Sequence, residues 1–404
     1  MQAILSQQTK NADIFKNDKS NIPSYKKEKI ISPSYSTAEK SNQQNILIIK
    51  KEKEKEKIPD IKTILEENYK IIPENFEILD NIGSGSESWV NKIKHKKRKK
   101  DYIQKKKKMK NEIPKVYFTK IISPERIVEI YKKLGITLGG KVAIKIHSGE
   151  DGNKNFLGPD MMKNIVNELS GQIVETNTAY NGARNTTEKH KALLIKHKWD
   201  PDYKVDILDS EGIDTIEIPY GKQITKNLVG SHLKNYDSIL VISHFKGHGM
   251  GGFGGALKQL SIGMASNSGK ANIHSAGKTT DVNEWFKYLP TQDAFLESMA
   301  DAASSIVKKY EGKIAFINVM KNLSVDCDCN GRAKLPVMKD IGILASLDPV
   351  AIDTACIDLV INSDDPGKVS FLERVNSLHG THTIDVAEEH QIGSKLYQLI
   401  NIDK

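Results

Sequence analysis

The chain has 404 residues, with 60 Lys and Arg against 51 Asp and Glu, a formal net charge of +9 and three cysteines. Its length suits two or three domains, and no window approaches the roughly eighteen apolar residues that a membrane helix needs. Residues 1–10 lack an apolar signal core, and Cys327, Cys329 and Cys356 make no disulfide framework, so the expectation is a cytoplasmic protein without a membrane partner.

The charge is unevenly spread. Residues 1–112 hold 26 Lys and Arg against 16 Asp and Glu, so they carry +10 and leave −1 for the rest. The basic balance therefore says nothing about residues 113–404. Residues 1–60 are rich in Asn, Lys, Ser, Gln and Glu and end in a Lys/Glu alternation. Such a composition cannot bury enough apolar surface to offset its ordering entropy, and disorder is expected.

Residues 61–112 change character. Within 74–90 an apolar strand pattern leads into Gly83-Ser84-Gly85 and Val90, and a third strand follows with Lys105. This stretch resembles the opening of a protein kinase N-lobe over residues 74–110, with Lys105 at the ATP-pairing position. Ser88 stands in place of the third glycine, and nothing later reads as H-R-D, D-F-G or A-P-E. Without a catalytic base or a magnesium ligand the expected piece is an inactive fragment, not an active kinase. The run 92–110 has twelve Lys or Arg against one Asp, with Tyr102 alone as an aromatic. It reads as solvated charge and not as a nucleic-acid site.

From residue 115 onward compact apolar runs alternate with helical patterns. Expected strands are 115–121, 141–147, 172–178, 205–209, 215–219, 238–243, 313–319 and 341–346. Expected helices are 124–134, 159–169, 187–196, 255–265, 295–310, 349–360, 369–378 and 384–390. The alternation predicts an α/β domain over 113–404, with a mostly parallel sheet and helices on both faces.

Six glycines crowd into residues 247–255, between the apolar strand pattern ending at Ser243 and a helical pattern starting near Gly255. Glycine is costly unless the chain turns sharply or brings backbone N–H groups close to a ligand. Strand, glycine loop and helix N-terminus together predict an anion site using Gly251, Gly252, Gly254 and Gly255, with Lys246, Lys258 and Lys270 available as cations. The alternative is that these glycines only permit close packing.

Polar residues recur just past the strands: Lys145 and His147, then Asn177, Thr178, Tyr180 and Arg184, then His244, Lys246 and His248, then Asp326-Cys327-Asp328-Cys329. Ligands of open α/β sheets bind beyond the carboxyl ends of the strands, so one shared cleft is expected. Cys327 and Cys329 point the same way in an extended chain and suit a soft or borderline metal if His244, His248 or His382 meets them. A structural or redox-active thiol pair is the other reading. His147, His244 and His248 are the candidate acid/base residues. His190 and His390 are read as solvated.

The stretches 142–150, 176–180 with Arg184, 243–263, 266–270, 326–329, 348–353 and 387–394 together resemble the domain of unknown function 362 family, across residues 115–403. The resemblance implies an α/β domain of an iron–sulfur-associated family and a ferredoxin-like redox partner. Members with a ferredoxin insert carry it after the positions of Lys270 and His274. This chain has no C-x-x-C-x-x-C run, so an inserted four-iron cluster is not expected. The resulting expectation is a protein that binds an anionic small molecule, with a transition metal or thiol pair at Cys327, Cys329 and His382. The contrasting one is a non-catalytic scaffold with a basic recruitment arm. Neither specifies a reaction.

Overall fold

The computed structural model describes residues 113–403. The readings of 1–112, including the kinase-like fragment and the disordered arm, lie outside the described residues.

Strand β1 (Lys115–Thr119) leads into helix α1 (Pro124–Lys133), where Ser123 accepts the Arg126 amide as N-cap and Pro124 opens the first turn. Then come β2 (Val142–Lys145), a single 3-10 turn at Pro159–Met162, α2 (Lys163–Leu169), β3 (Gln172–Glu175), α3 (Thr187–Lys196) and β4 (Asp206–Ile207). β5 (Ile213–Glu217) and β6 (Lys226–Gly230) follow, then the fully buried β7 (Ser238–His244). The glycine-rich region folds as β8 (Lys246–His248), β9 (Gly252–Gly254) and the short helix α4 (Ala256–Ser261). The rest comprises α5 (Asn267–His274), α6 (Gln292–Lys309), β10 (Ile314–Met320), β11 (Gly342–Ser346), α7 (Pro349–Ile361), α8 (Lys368–Ser377), α9 (His382–Glu389) and β12 (Gln398–Asn401).

Eight strands form one sheet in the order β12-β1-β11-β10-β7-β2-β3-β4. Its pairings are parallel except where β11 runs antiparallel to both β1 and β10. Alternation along β7 divides the core: Leu240 and Ile242 pack with α1, α2 and α3 residues such as Ile130, Ile165 and Leu194, while Ile239 and Val241 pack with Leu257, Ala303 and Val350. Helices therefore cover both faces, as the α/β reading requires.

Two expectations need correction. The strand expected at 215–219 pairs with β6 in a separate two-stranded sheet, because its half-exposed alternation suits an antiparallel pair with one wet face. The helix expected at 255–265 stops at Ser261, and α5 starts anew after Ser266, whose hydroxyl caps the Gly269 amide. Among the described residues no helix is long and apolar enough to cross a membrane.

Candidate metal and anion site at the carboxyl edge of the sheet

β2, β3, β7 and β10 run in one direction, so the segments that follow them converge. His244 at the end of β7 and Lys246 just beyond it enter the interior, and after β10 the loop 321–334 turns Asp328 toward them. The Asp328 carboxylate lies 2.9 Å from His244 Nδ1 and 3.0 Å from Lys246 Nζ. His244 Nε2 faces the Lys321 carbonyl at 2.5 Å. Both ring nitrogens thus face obligate acceptors, an arrangement that a doubly protonated imidazolium satisfies. Burial opposes the Asp328 charge, but His244 and Lys246 hold its carboxyl well below the usual range.

A second ion-pair group lies at the ends of β2 and β3. Lys145 Nζ donates to Glu175 at 2.6 Å, Ser148 donates to the same carboxylate through its amide and hydroxyl at 2.8 and 3.0 Å, and Arg184 stands 3.6 Å away. Despite burial, Lys145 and its cationic neighbours keep the Glu175 carboxyl well below its ordinary value. Arg184 also donates to Glu150 at 3.3 Å and to the Tyr180 hydroxyl at 2.8 Å, and Tyr180 donates to Glu150 at 2.8 Å.

Between these groups stand the thiols. One ligand atom each from His248, Cys327 and Cys329 lies within 4.8 Å of the others, with His248 Nε2 3.9 Å from Cys329 Sγ. Lys258 Nζ lies 3.7 Å from Cys327 Sγ. Burial pushes the Cys327 thiol up, but the bond with Cys329 and the charges of Lys258 and Lys246 outweigh it and bring it well below its ordinary value. The bond with Cys327 and burial push the Cys329 thiol the other way.

The histidine rings are oriented by backbone. His248 Nδ1 accepts the Met250 and Gly251 amides at 3.1 and 2.8 Å, and His147 Nδ1 accepts the Gly149 amide at 3.1 Å. A neutral ring whose Nδ1 accepts carries its proton on Nε2. Burial is the first cause lowering both imidazoles below their ordinary value.

Several sequence-predicted residues take other positions. His382 is not in the metal-ligand group: it opens α9, with Nε2 3.4 Å from Glu297 and its ring stacked on His379. His244 has both nitrogens engaged and is no free acid or base. The helix N-terminus expected to hold an anion is filled from within, since the Ala256 and Leu257 amides donate to the Asp353 carboxylate at 2.7 and 2.9 Å. A Cβ on Gly255 would stand 2.3 Å from that carboxylate, and one on Gly252 would stand 2.7 Å from Gly380. Gly254 lies against the Lys246 side chain, and Gly251 supplies an amide to His248. These glycines serve internal approach.

Asn177 bonds Asp209, Thr187 and His190, and the Thr178 amide bonds the Arg184 carbonyl, so both are internal braces. His190 is fully buried, not solvated, and spans Asn177 and Ser148. His390 is bonded to Asp301 at 2.6 Å. Instead of an open cleft, the carboxyl edge is closed over: Lys145, Lys246, Lys258, Lys270 and Asp328 are all buried, and His147, Tyr180 and Cys329 are half-buried at its margin.

Glu150, Glu175 and Asp328 are the partners that sequence reasoning left unassigned. A carboxylate closing the apolar run of β3 was the available signal for Glu175.

Among solved structures, the chain is similar to the lactate racemase apoprotein from Thermoanaerobacterium thermosaccharolyticum, at 19% identity and a TM-score of 0.31, covering 50% of each chain. It thus spans about half the length of that protein. A protein from Thermotoga maritima gives 12% identity and a TM-score of 0.33, covering 66% of this chain and 59% of that one. No curated protein matches. Residues 142–358, more than half of the sequence, match the model of one family, and the chain belongs to it: Domain of unknown function (DUF362).

Proposed function

We propose that the domain binds a soft or borderline divalent metal ion through His248, Cys327 and Cys329, together with a small anionic molecule beside it. The observation that carries this reading is the convergence of three donor atoms within 4.8 Å, next to a buried Lys258 whose ammonium group has Cys327 as its sole bonded neighbour among the described residues. A two-thiolate, one-imidazole set is a ligand set of catalytic zinc and leaves a position for water or substrate. Buried cations without carboxylates are costly, and an acidic ligand relieves that cost.

Metal ligation by His248 Nε2 requires its proton to leave. Since Nδ1 accepts the Met250 and Gly251 amides, the 249–251 turn must release the ring for the proton to move there. The same tautomer favours a second, metal-free reading, in which Cys327 is a thiolate held by Lys258 and the imidazole N–H. Metal analysis after anaerobic purification separates them: about one equivalent per chain supports the metal centre, and less than about a tenth overturns it. Thermal stabilisation by small carboxylates that is lost in Lys258→Met tests the anionic ligand.

A further inference from the structure

Lys270 has no part in the metal reading. It lies in the first turn of α5, buried, and its Nζ donates to two neutral oxygens: Thr176 Oγ1 at 2.6 Å and the Ala265 carbonyl at 2.5 Å. The Thr176 hydroxyl donates in turn to the Gly263 carbonyl at 2.9 Å, so its oxygen serves Lys270 as acceptor. Among the described residues no carboxylate bonds Lys270. An ammonium there would keep a third N–H without an acceptor. A neutral amine uses both of its N–H groups on these two oxygens and keeps its lone pair free.

The charged and titratable groups facing Lys270 are Asp209 beyond β4, Lys145 and Glu175 at the ends of β2 and β3, Arg184, His190 on α3 and His274 on α5. Burial lowers its pKa to about 7, Asp209 and Glu175 oppose this, and Lys145 and Arg184 add to it. A desolvated lysine beside other cations is the usual form of an activated amine. An independent observation is a second buried polar group whose donor lacks an acceptor. The Gln259 amide nitrogen is buried without a partner, and its carboxamide lies against Gly263, the residue that receives the Thr176 hydroxyl.

We propose that Lys270 is a nucleophilic amine that forms a Schiff base with the carbonyl of a small 2-oxo acid, whose carboxylate is held by the Gln259 amide and the cations around it. This rests on the anionic-ligand reading above. The Nζ lone pair forms a C–N bond to the carbonyl carbon while the C=O π pair moves to oxygen, which takes one of the two Nζ protons. The resulting carbinolamine loses that hydroxyl as water and a proton from nitrogen, leaving C=N. One water is released, and nothing is oxidised or reduced.

The test is reductive trapping of the full chain with pyruvate and cyanoborohydride across pH, followed by peptide mapping, with Lys234 as a surface reference. The expected result is an adduct on Lys270 that is half-maximal near pH 7, following its pKa of about 7, and that forms well ahead of the Lys234 adduct at that pH. No adduct on Lys270, or one that rises only with Lys234, overturns the amine. Acetone labelling Lys270 as fast as pyruvate overturns the acid. Thermal stabilisation by pyruvate without an adduct overturns this inference and leaves the anionic ligand standing. Neither adduct nor stabilisation overturns both.

Discussion

His248 Nε2 lies 3.9 Å from Cys329 Sγ across 81 residues of chain. The contact exists because β7 and β10 are parallel neighbours, so the segments leaving their carboxyl ends meet. Cys327→Ser and Cys329→Ser are each expected to lower metal content from about one equivalent to below about a tenth. Cys356→Ser should leave it unchanged, since Cys356 is buried in α7 with Asn318 as neighbour. Cobalt(II) substitution, read by sulfur charge-transfer absorption, checks all three variants. Equal loss in the Cys356 variant would point to general unfolding.

Asp328→Asn should be among the most damaging single changes. The carboxylate stands between His244 and Lys246, and its loss strands buried positive charge, at a cost of about 3–5 kcal/mol. Urea unfolding of the variant measures it. A loss below about 1 kcal/mol, the scale of an exposed pair, would mean that water reaches the group.

Gly255→Ala should cost about 1–3 kcal/mol, because the new methyl group meets the Asp353 carboxylate at 2.3 Å. Asp353→Ala should cost at least as much, since it leaves the Ala256 and Leu257 amides and the Asn318 amide without their acceptor. Their sum should exceed the loss in the double variant, because the clash disappears with the carboxylate. Additive losses would refute the contact.

Burial holds His190 at about 3 when folded, against about 6.5 unfolded. Between those values the unfolded chain binds a proton that the folded chain refuses, so this group's contribution falls as pH drops from about 6.5 toward 3. Replacing it with Gln removes the titration. The stability of the native chain relative to His190→Gln should therefore shrink by about 1.4 kcal/mol per pH unit between pH 6 and 4. Comparing the two chains cancels Asp348 and Asp353, whose carboxyls burial raises to about 6 and whose effect has the opposite sign. A constant difference across that range would show that His190 is not held neutral.

The sheet was legible because its strands are near-continuous apolar runs: β7 and β10 are buried at every position, and such runs need no partner to be recognised. The end of the sheet where buried charges and thiols gather was legible too, because polar residues follow each parallel strand. Pairing was not. Asp353 lies 97 residues beyond the Ala256 amide it caps, and nothing local in 247–257 shows that the helix N-terminus is already occupied. His382 and His248 look equivalent on paper; their separation follows from α9 packing on α6, where Glu297 meets His382. Nor could sequence tell buried His190 from solvated histidines, since α3 has a weak apolar face there.

The loops that follow β2 and β10 are stitched together. The Glu150 amide bonds the Asp328 carbonyl at 2.8 Å, the Asn153 carboxamide bonds the Asn330 carbonyl at 2.9 Å, and the Asn155 carboxamide bonds the Lys334 carbonyl at 2.8 Å. A Cβ on Gly331 would stand 2.0 Å from the Asp151 carbonyl. Any opening that uncovers what lies beneath must therefore carry the two loops together. Access to the buried Cys327 becomes an opening event with its own clock, so at high concentrations of a thiol reagent its modification should run at a rate that no longer depends on how much reagent is present.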